Sequence, residues 1–353
     1  MPLDSPAAAN DAVRIQRGSF RVYVEPDGTV VVPDLAEPLI PLLRTNGANE
    51  ALWRTEPCIA TKPVLAASRR LESGLSLSEL QATSTANLWR THAMALNRLQ
   101  AIKQGKEISR GAASLLDLKI ELAARLLSGC NLCVRACGTD RTANVRGFCG
   151  LAARVQVSAY AMLYNEGPMV GAPTFSVFVR GCSLRCAFCY RRDDLRPDER
   201  DELPPEGLAR VLDIAAERGA RSWHFLGGDP DESLPAILQS LALTLRSVPV
   251  VWDSALMLAP AALELLRGVV DVWLPDFKFG NDACGRQAAG IDGYMEAVTR
   301  NLMALRDQEH VVVRHMTRPG HACCCTNVVE RFVRATLPGS CLQTFPCYSH
   351  AHS

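Results

Sequence analysis

The chain carries almost no surplus of charge: 38 Lys and Arg stand against 37 Asp and Glu, a formal net charge of +1. That balance gives no electrostatic footprint for nucleic acid, and none is expected as a partner. It also has no apolar run approaching the ~20 residues that cross a bilayer, so no membrane-spanning helix is expected. The opening Met1-Pro2-Leu3-Asp4 lacks a basic stretch followed by an apolar one, so no secretory leader is expected. Cysteine, by contrast, is plentiful, with 14 in 353 residues. Without an export pattern, that number argues for metal ligation or redox chemistry in a reducing, cytoplasmic setting rather than for a disulfide framework. A hydrophobic content of 48% supports a real core, and the length allows one large domain and a smaller one.

Seven of the cysteines fall in two motifs. Residues 181–190 read G-C-S-L-R-C-A-F-C-Y, with Cys182, Cys186 and Cys189 at C-x3-C-x2-C spacing directly after an apolar run. Three thiolates on one short loop can hold three irons of a cubane cluster, while a fourth would be needed to close it. An iron left open is where a substrate or cofactor binds. A zinc loop, or three unrelated cysteines, is the alternative at this point. Upstream, Cys130, Cys133, Cys137 and Cys149 stand at C-x2-C-x3-C-x11-C. Four thiols complete a tetrahedral zinc shell or a closed iron–sulfur cluster, and spacing does not choose between them. Gly138 and Gly147 suit the tight turns of such wrapping. The group either relays electrons or touches substrate as an auxiliary cluster, or staples the N-terminal extension to the main domain.

The rest of the chain divides into residues 1–115, an N-terminal extension; 116–170, the Cys-rich segment; and 171–353, an α/β unit. In the extension, residues 20–32 alternate around Asp27-Gly28, a hairpin signal. A Pro-rich connection follows through Pro33, Pro38 and Pro41. Residues 77–104 read as one helix with Leu80, Leu88, Met94, Leu96 and Leu99 on its apolar positions. Packing or capping is the expected role, with Cys58 and His92 as ordinary side chains. Residues 113–127 read as an amphipathic helix. From residue 174 onward short apolar strands alternate with helical segments, at 174–180, 222–226, 249–252, 269–274, 311–313 and 341–345. Such strands imply a parallel sheet. Six units over about 175 residues are too few for a closed eight-stranded barrel. At the carboxyl ends of these strands stand Gly227-Gly228-Asp229, Asp253-Ser254, Asp276-Phe277-Lys278 and Arg314-His315. In a parallel barrel those positions share one mouth with the three-cysteine loop.

The three-cysteine loop, with aromatic Phe188 just before its third cysteine, resembles the signature of the radical S-adenosylmethionine (SAM) superfamily. The resemblance implies a partial (β/α)6 TIM-like barrel and a 4Fe–4S cluster on Cys182, Cys186 and Cys189, the catalytic centre. It implies SAM chelated to the free iron through its amino and carboxylate groups. One electron from the cluster then cleaves SAM to methionine and a 5′-deoxyadenosyl radical. Gly227-Gly228-Asp229 resembles the superfamily's Gly-Gly-Glu element, which binds the SAM amino group, with Asp in place of Glu shortening the reach by one methylene. Asp276-Phe277-Lys278 resembles the Asp-Ile-Lys element of pyruvate formate-lyase activating enzyme, which faces SAM. Arg314 and Arg318-Pro319-Gly320 resemble that enzyme's fifth-strand arginine and following turn, and a guanidinium suits the SAM carboxylate. Asp253 and Ser254 sit where ribose hydroxyls would be read. The bland alternative for these charges is a solvated rim or an internal ion pair.

The nearest likeness is to uncharacterised homologues of that activating enzyme. They share C-N-L-C, R-x-C, G-F-C-G, G-G-D-P, L-P-D-F-K and R-H-x-x-x-P-G-H, over roughly residues 115–335, about two thirds of the chain. Two features depart from the pattern: the quartet precedes the barrel, and the C-terminal end is abrupt. Glycyl-radical activation is therefore not inherited with the fold, and protein glycine, peptide and small metabolite stay open as substrates. An external one-electron donor such as flavodoxin or ferredoxin is the expected partner. The rival readings are an iron–sulfur electron-transfer or scaffold protein without SAM chemistry, and a zinc-stabilised binding module. Cys323-Cys324-Cys325 after His321 reads as a cavity thiol able to meet a radical or as buried small side chains. Cys284, Cys341 and Cys347 read as ordinary side chains, and His350 as a weak candidate for the mouth.

Overall fold

The computed structural model describes residues 23–24, 30–31, 63–101, 112–163, 170–189, 191–192, 195–308 and 310–346. Strands β1 (Tyr23–Val24) and β2 (Val30–Val31) pair antiparallel, as the alternation over 20–32 predicts. The Asp27-Gly28 turn, the Pro-rich connection, Cys58, Cys347 and His350 lie outside the described residues. Then come α1 (Val64–Arg70), β3 (Glu72–Ser76), α2 (Leu77–Ala82), α3 (Thr85–Ala101), β4 (Ala112–Ser114) and α4 (Leu115–Leu127).

The single helix expected over 77–104 is thus two. Thr83 is extended, and Arg125 from α4 donates to the exposed-end carbonyls of Leu80 at 3.0 Å and Thr83 at 2.8 Å. A side chain that satisfies those carbonyls removes the need for the helix to continue. Leu80, Leu88 and Leu96 are buried as expected, but Met94 is exposed. The helix expected from 113 starts at Leu115 because Ser114 and Asp117 form a reciprocal cap: Asp117 N donates to Ser114 Oγ at 3.1 Å, and Ser114 N to Asp117 Oδ2 at 2.8 Å.

This helical layer holds one buried pair of bases. Lys119 Nζ lies 2.8 Å from His92 Nε2, both sealed from solvent. Burial pushes Lys119 down to about 7 from its usual 10.5, Glu264 opposing and Arg267 reinforcing the shift. A base whose folded value is depressed costs stability wherever the unfolded chain is protonated and the folded one is not. Between about pH 7 and 10.5 stability therefore rises with pH, by up to about 1.4 kcal/mol per unit. Lys119→Met is expected to stabilise the protein by roughly 1–4 kcal/mol at pH 7. Denaturant melts at pH 7 and 9.5 check this, because the gain must shrink at the higher pH.

The second half begins with β5 (Val155–Leu163) and β6 (Thr174–Val179), then β7 (Glu202–Leu203), α5 (Pro205–Glu217), β8 (Ser222–Gly227), α6 (Leu234–Leu243), β9 (Val250–Ser254) and α7 (Pro260–Leu266). It ends with β10 (Val272–Pro275), α8 (Asp282–Ala289), α9 (Tyr294–Ala304), β11 (Val312–Thr317), α10 (Asn327–Thr336) and β12 (Cys341–Pro346). One sheet runs in the order β10-β9-β8-β6-β5-β7. β6, β8, β9 and β10 are parallel, bridges Trp273↔Val311 and Asp276↔Arg314 carry the parallel order on to β11, and β12 is parallel to β11. These six are the six strands expected, and they make the open, parallel-rich α/β barrel. Strand β10 starts at Val272 rather than 269, since 269–271 turn off α7. Strand β5 was not foreseen. It lies within residues 116–170 yet pairs antiparallel with β6, extending the barrel sheet. Helix α8 was also not foreseen.

Side chains alternate across the strands, so each strand feeds two cores. Trp223, Phe225, Trp252, Trp273 and Val313 pack with the leucines of the helices. The other parity, Val251, Val272, Leu274 and Val312, makes a separate small cluster inside the curl of the sheet. The N-terminal layer attaches at the opposite end from the cysteine loop. Asp271, at the amino end of β10, accepts from Val64 N at 2.9 Å and Val250 N at 2.8 Å.

Candidate active site

The inner parity carries the chemistry upward. One step beyond Val251, Leu274 and Val312 on the same face come Asp253, Asp276 and Arg314. His224 joins them, because it pairs in register with Val251 on β9 and with Ser176 on β6. Arg314 Nη1 donates to Asp253 Oδ2 at 2.6 Å, and His224 Nε2 lies 3.5 Å from the same oxygen. Lys278, following β10, is ion-paired with Asp276. Burial opposes the ionisation of Asp253, yet Arg314 and His224 outweigh it and hold the carboxyl below its usual value. Burial likewise disfavours the Lys278 ammonium, but Asp276 and the Cys186 thiolate outweigh it and push it well above its usual value. Four of the sequence-predicted cofactor residues therefore meet at one mouth, joined as two ion pairs. His224 was missed, because nothing in its local sequence marks it; only strand register brings it there.

The strand-two element is built differently from the expectation. A Cβ on Gly228 would lie 2.1 Å from Gly181 O, and one on Gly227 would lie 2.7 Å from Val179 N. Gly227 has φ +115, a region that favours glycine. These glycines let the β8 turn lie directly on the cluster loop, where Gly228 N donates to Val179 O at 2.7 Å and Asp229 N to Gly181 O at 2.8 Å. Asp229 is only 2% exposed and accepts from Ala255 N at 3.1 Å and Asp231 N at 3.3 Å. Its carboxylate is turned to backbone amides in this structure rather than left free for an ammonium. Ser254 departs from the ribose expectation in the same way. Its buried hydroxyl donates to Asp231 Oδ2 at 2.7 Å and accepts from Leu256 N at 2.8 Å. Asp231, also bonded by Trp252 Nε1 at 2.9 Å, is the organiser here and was missed. Gly228→Ala is expected to cost more than the roughly 1–3 kcal/mol of ordinary overpacking, since backbone blocks the new methyl. A thermal melt and an iron count after reconstitution check it: both must fall, because the loop carrying Cys182 is displaced.

The three-cysteine loop hangs from the end of β6. Cys182 is buried, Cys186 and Cys189 half-buried. Burial pushes the Cys186 thiol up to about 11, Lys278 opposing, with Cys189 and Asp276 adding to the rise. Leu184 N donates to Cys182 Sγ at 3.4 Å. Phe188 packs edge-on against Phe279, with centroids 6.0 Å apart, under the Arg318 guanidinium at 5.2 Å.

The quartet lies at the same end. Cys133 bridges Leu258 in the loop after β9, and Val134 N donates to Met257 O at 2.8 Å. Arg135 Nε donates to Ser183 O at 3.0 Å, inside the three-cysteine loop. Phe148, next to Cys149, is stacked between Arg135 at 4.3 Å and Arg185 at 4.4 Å. Gly138 turns with φ +67, whereas Gly147 is needed for closeness: its Cβ would lie 3.3 Å from Cys137 Sγ and 3.8 Å from Cys149 Sγ. Buried Arg141 lies 3.8 Å from Cys130 Sγ and donates to Glu232 O at 2.8 Å. Glu232 itself is sealed from solvent, and its charge opposes ionisation of Cys133, Cys149 and Cys182. Burial and Asp229 push it up to about 8. It is a carboxyl set between two thiol groups, and no sequence signal marked it. Among the described residues, no three sulfurs of either motif lie within 4.8 Å of one another. A cubane spreads its thiolates further apart than a single zinc does.

Several known proteins resemble this chain. A family model of the radical SAM superfamily matches residues 176–321. An uncharacterised protein of Methanocaldococcus jannaschii is 30% identical over 271 residues, 74% of this chain and 79% of that protein. The probable GTP 3′,8-cyclase of Methanothermobacter marburgensis is 26% identical over 145 residues, 36% of this chain and 47% of that protein. Among solved structures, Streptococcus suis SuiB bound to S-adenosylmethionine superposes on 48% of this chain and 39% of its own, with 13% identity and a TM-score of 0.40. The chain thus spans less than half of the cyclase and of SuiB. No helix among the described residues is long and apolar enough to cross a membrane. The family match runs from inside β6 to the loop after β11, which is the stretch that carries the three-cysteine loop and the charged strand ends, and the chain belongs to the radical SAM superfamily.

Proposed function

We propose that this radical SAM enzyme holds a 4Fe–4S cluster on Cys182, Cys186 and Cys189, cleaves SAM reductively and abstracts hydrogen from a substrate at the barrel mouth. The observation that carries the reading is the position of the loop. Three thiols sit at the end of β6, with Lys278 near enough to Cys186 to act on its charge and with Asp253, Asp276 and Arg314 beside them. The residues fit a cluster bearing three thiolates: Lys278 and Arg318 supply positive charge, and the Leu184 amide donates to Cys182 sulfur. Bound there, such a cluster supplies the electron that splits SAM to methionine and a 5′-deoxyadenosyl radical. Lys278 and Arg314 offer cations to the methionine carboxylate, and Asp253 and Asp276 offer acceptors to its ammonium or to ribose. Each would exchange its present partner for the ligand. The inner apolar layer of Val251, Val272, Leu274 and Val312 keeps water from below the site.

The quartet Cys130, Cys133, Cys137 and Cys149 would hold a second iron–sulfur cluster or zinc. The enzyme would be activating-enzyme-like, on the strength of L-P-D-F-K and the Arg314 to His321 run, acting on a protein glycine, a peptide or a small metabolite. Flavodoxin or ferredoxin would supply the electron. A second reading, an electron-transfer or scaffold protein, draws on one observation: the charged mouth residues already neutralise each other. Anaerobic reconstitution with iron and sulfide, reduction with dithionite and an assay for 5′-deoxyadenosine separate the two. Product with about eight irons per chain supports the reading with two clusters, and product with about four leaves the quartet to zinc. No product from loaded, reduced protein overturns it in favour of electron transfer.

A further inference from the structure

A third group of thiols lies apart from both motifs. Cys284 on α8, His321 at the end of the turn after β11, and Cys324 and Cys325 in the next turn place all their ligand atoms within 4.8 Å of one another. Cys284 Sγ and Cys324 Sγ lie 3.5 and 3.4 Å from His321 Nδ1. Cys324 Sγ lies 4.0 Å from both Cys284 Sγ and Cys325 Sγ. A tetrahedral zinc, with Zn–S near 2.3 Å and Zn–N near 2.0–2.1 Å, sets its ligand atoms about 3.6–3.8 Å apart. The four atoms already stand at single-ion spacing. We propose that Cys284, His321, Cys324 and Cys325 bind one zinc ion as a closed structural site.

The surrounding chain is built to hold this geometry. A Cβ on Gly280 would lie 2.5 Å from Cys324 O, so the turn before α8 touches the cysteine turn directly. Asn281 Nδ2 donates to that same carbonyl at 2.9 Å, while its Oδ1 accepts from Cys284 N at 2.8 Å and caps α8. Residues 322–326 form a π-helical turn, a wide turn often found at functional sites. Cys325 is buried and Cys324 exposed, so an ion can enter from one side. Neighbouring Cys323 is exposed and outside the group.

Charge also balances. Binding displaces the protons of three thiols, and Zn²⁺ with three thiolates and a neutral imidazole leaves one net negative charge. Arg318 stands beside it: its Nη2 is 3.1 Å from His321 Nε2, and its buried Nη1 makes no hydrogen bond. Ligation through Nδ1 puts the ring hydrogen on Nε2, so Arg318 releases that nitrogen and stays over Phe188 and Phe279. The zinc would therefore clamp the loop after β11 to α8.

The test uses the full chain, purified anaerobically from zinc-supplemented cells and dialysed against metal-free buffer. Zinc and iron are counted in wild type, in Cys133→Ser and in Cys284→Ser/Cys324→Ser. About one zinc per chain is expected to persist in Cys133→Ser, and the double variant is expected to hold about one zinc fewer than wild type, with iron unchanged. X-ray absorption at the zinc edge of Cys133→Ser is expected to show three sulfurs and one nitrogen. That measurement, and the same spectrum of wild type, does not depend on the double variant folding. A four-sulfur shell in Cys133→Ser, as much zinc in a folded double variant as in wild type, zinc-free wild type, or a Cys284–Cys324 disulfide in peptides from it each overturn the proposal.

Discussion

Cys182→Ala is expected to abolish 5′-deoxyadenosine formation, a loss of at least about 10³-fold, because two thiolates on the loop no longer hold a cluster that must bind SAM at its open iron. The protein should still fold. Cys182 is buried against Leu184 and the β8 turn, but the substitution removes one sulfur from a loop otherwise held by backbone bonds from Gly228 and Asp229. Iron content should fall by about four per chain while metal at Cys130, Cys133, Cys137 and Cys149 is retained. Loss of both metal sites would mean that the two motifs form one interdependent unit, which the Arg135–Ser183 and Phe148–Arg185 contacts make physically reasonable. Undiminished product would remove Cys182 from the chemistry altogether.

Arg314→Ala carries the second large effect. Asp253 and Arg314 have side chains 14% and 17% exposed, and taking one partner from so enclosed a pair leaves the other charge uncompensated. The expected cost is about 3–5 kcal/mol, a drop in melting temperature of roughly 5–10 °C. The pH dependence should change sign. In the wild type Asp253 is held below its usual value of 3.8, so its contribution is present above that value and is lost as pH falls below it. Without Arg314 the largest charge that holds the carboxyl down is gone, only His224 and Lys278 still oppose burial, and the carboxyl is expected to rise. A carboxyl raised past its usual value keeps a proton the unfolded chain has released, and stability then falls as pH rises above that usual value. Melts at pH 4.5 and 7 measure this. Adding Asp253→Asn to Arg314→Ala should recover part of the loss, a coupling of about 1–3 kcal/mol. Equal loss at both pH values would show that the pair does not set the state of Asp253.

Much of the fold and part of the site could be read from residue order alone, for physical reasons that are local. Three thiols within eight residues must share a loop whatever the fold around them, and continuous apolar strands separated by helices can only be buried on both faces. Hence the six parallel strands, the cysteine loop at the end of the first, and the charged residues at the ends of the third to fifth were legible. Strand β5 was not, because an antiparallel strand of mixed composition looks like a connection until its partners are known. His224, Asp231 and Glu232 were illegible for the same reason. Each is an ordinary polar residue in its own segment and gains meaning only from register, which puts His224 opposite Val251 and Asp253 one step above it on the same face. The Gly-Gly element reads as a place for a cofactor to approach, and only the tertiary structure shows that the backbone of the preceding loop lies against it. Cys284 and His321 are 37 residues apart, and only the packing of α8 against the loop after β11 makes them neighbours. Spacing along the chain decides chemistry that fits within one loop; chemistry assembled across strands and helices is decided by tertiary packing, because only packing fixes which distant atoms come within a bond's reach.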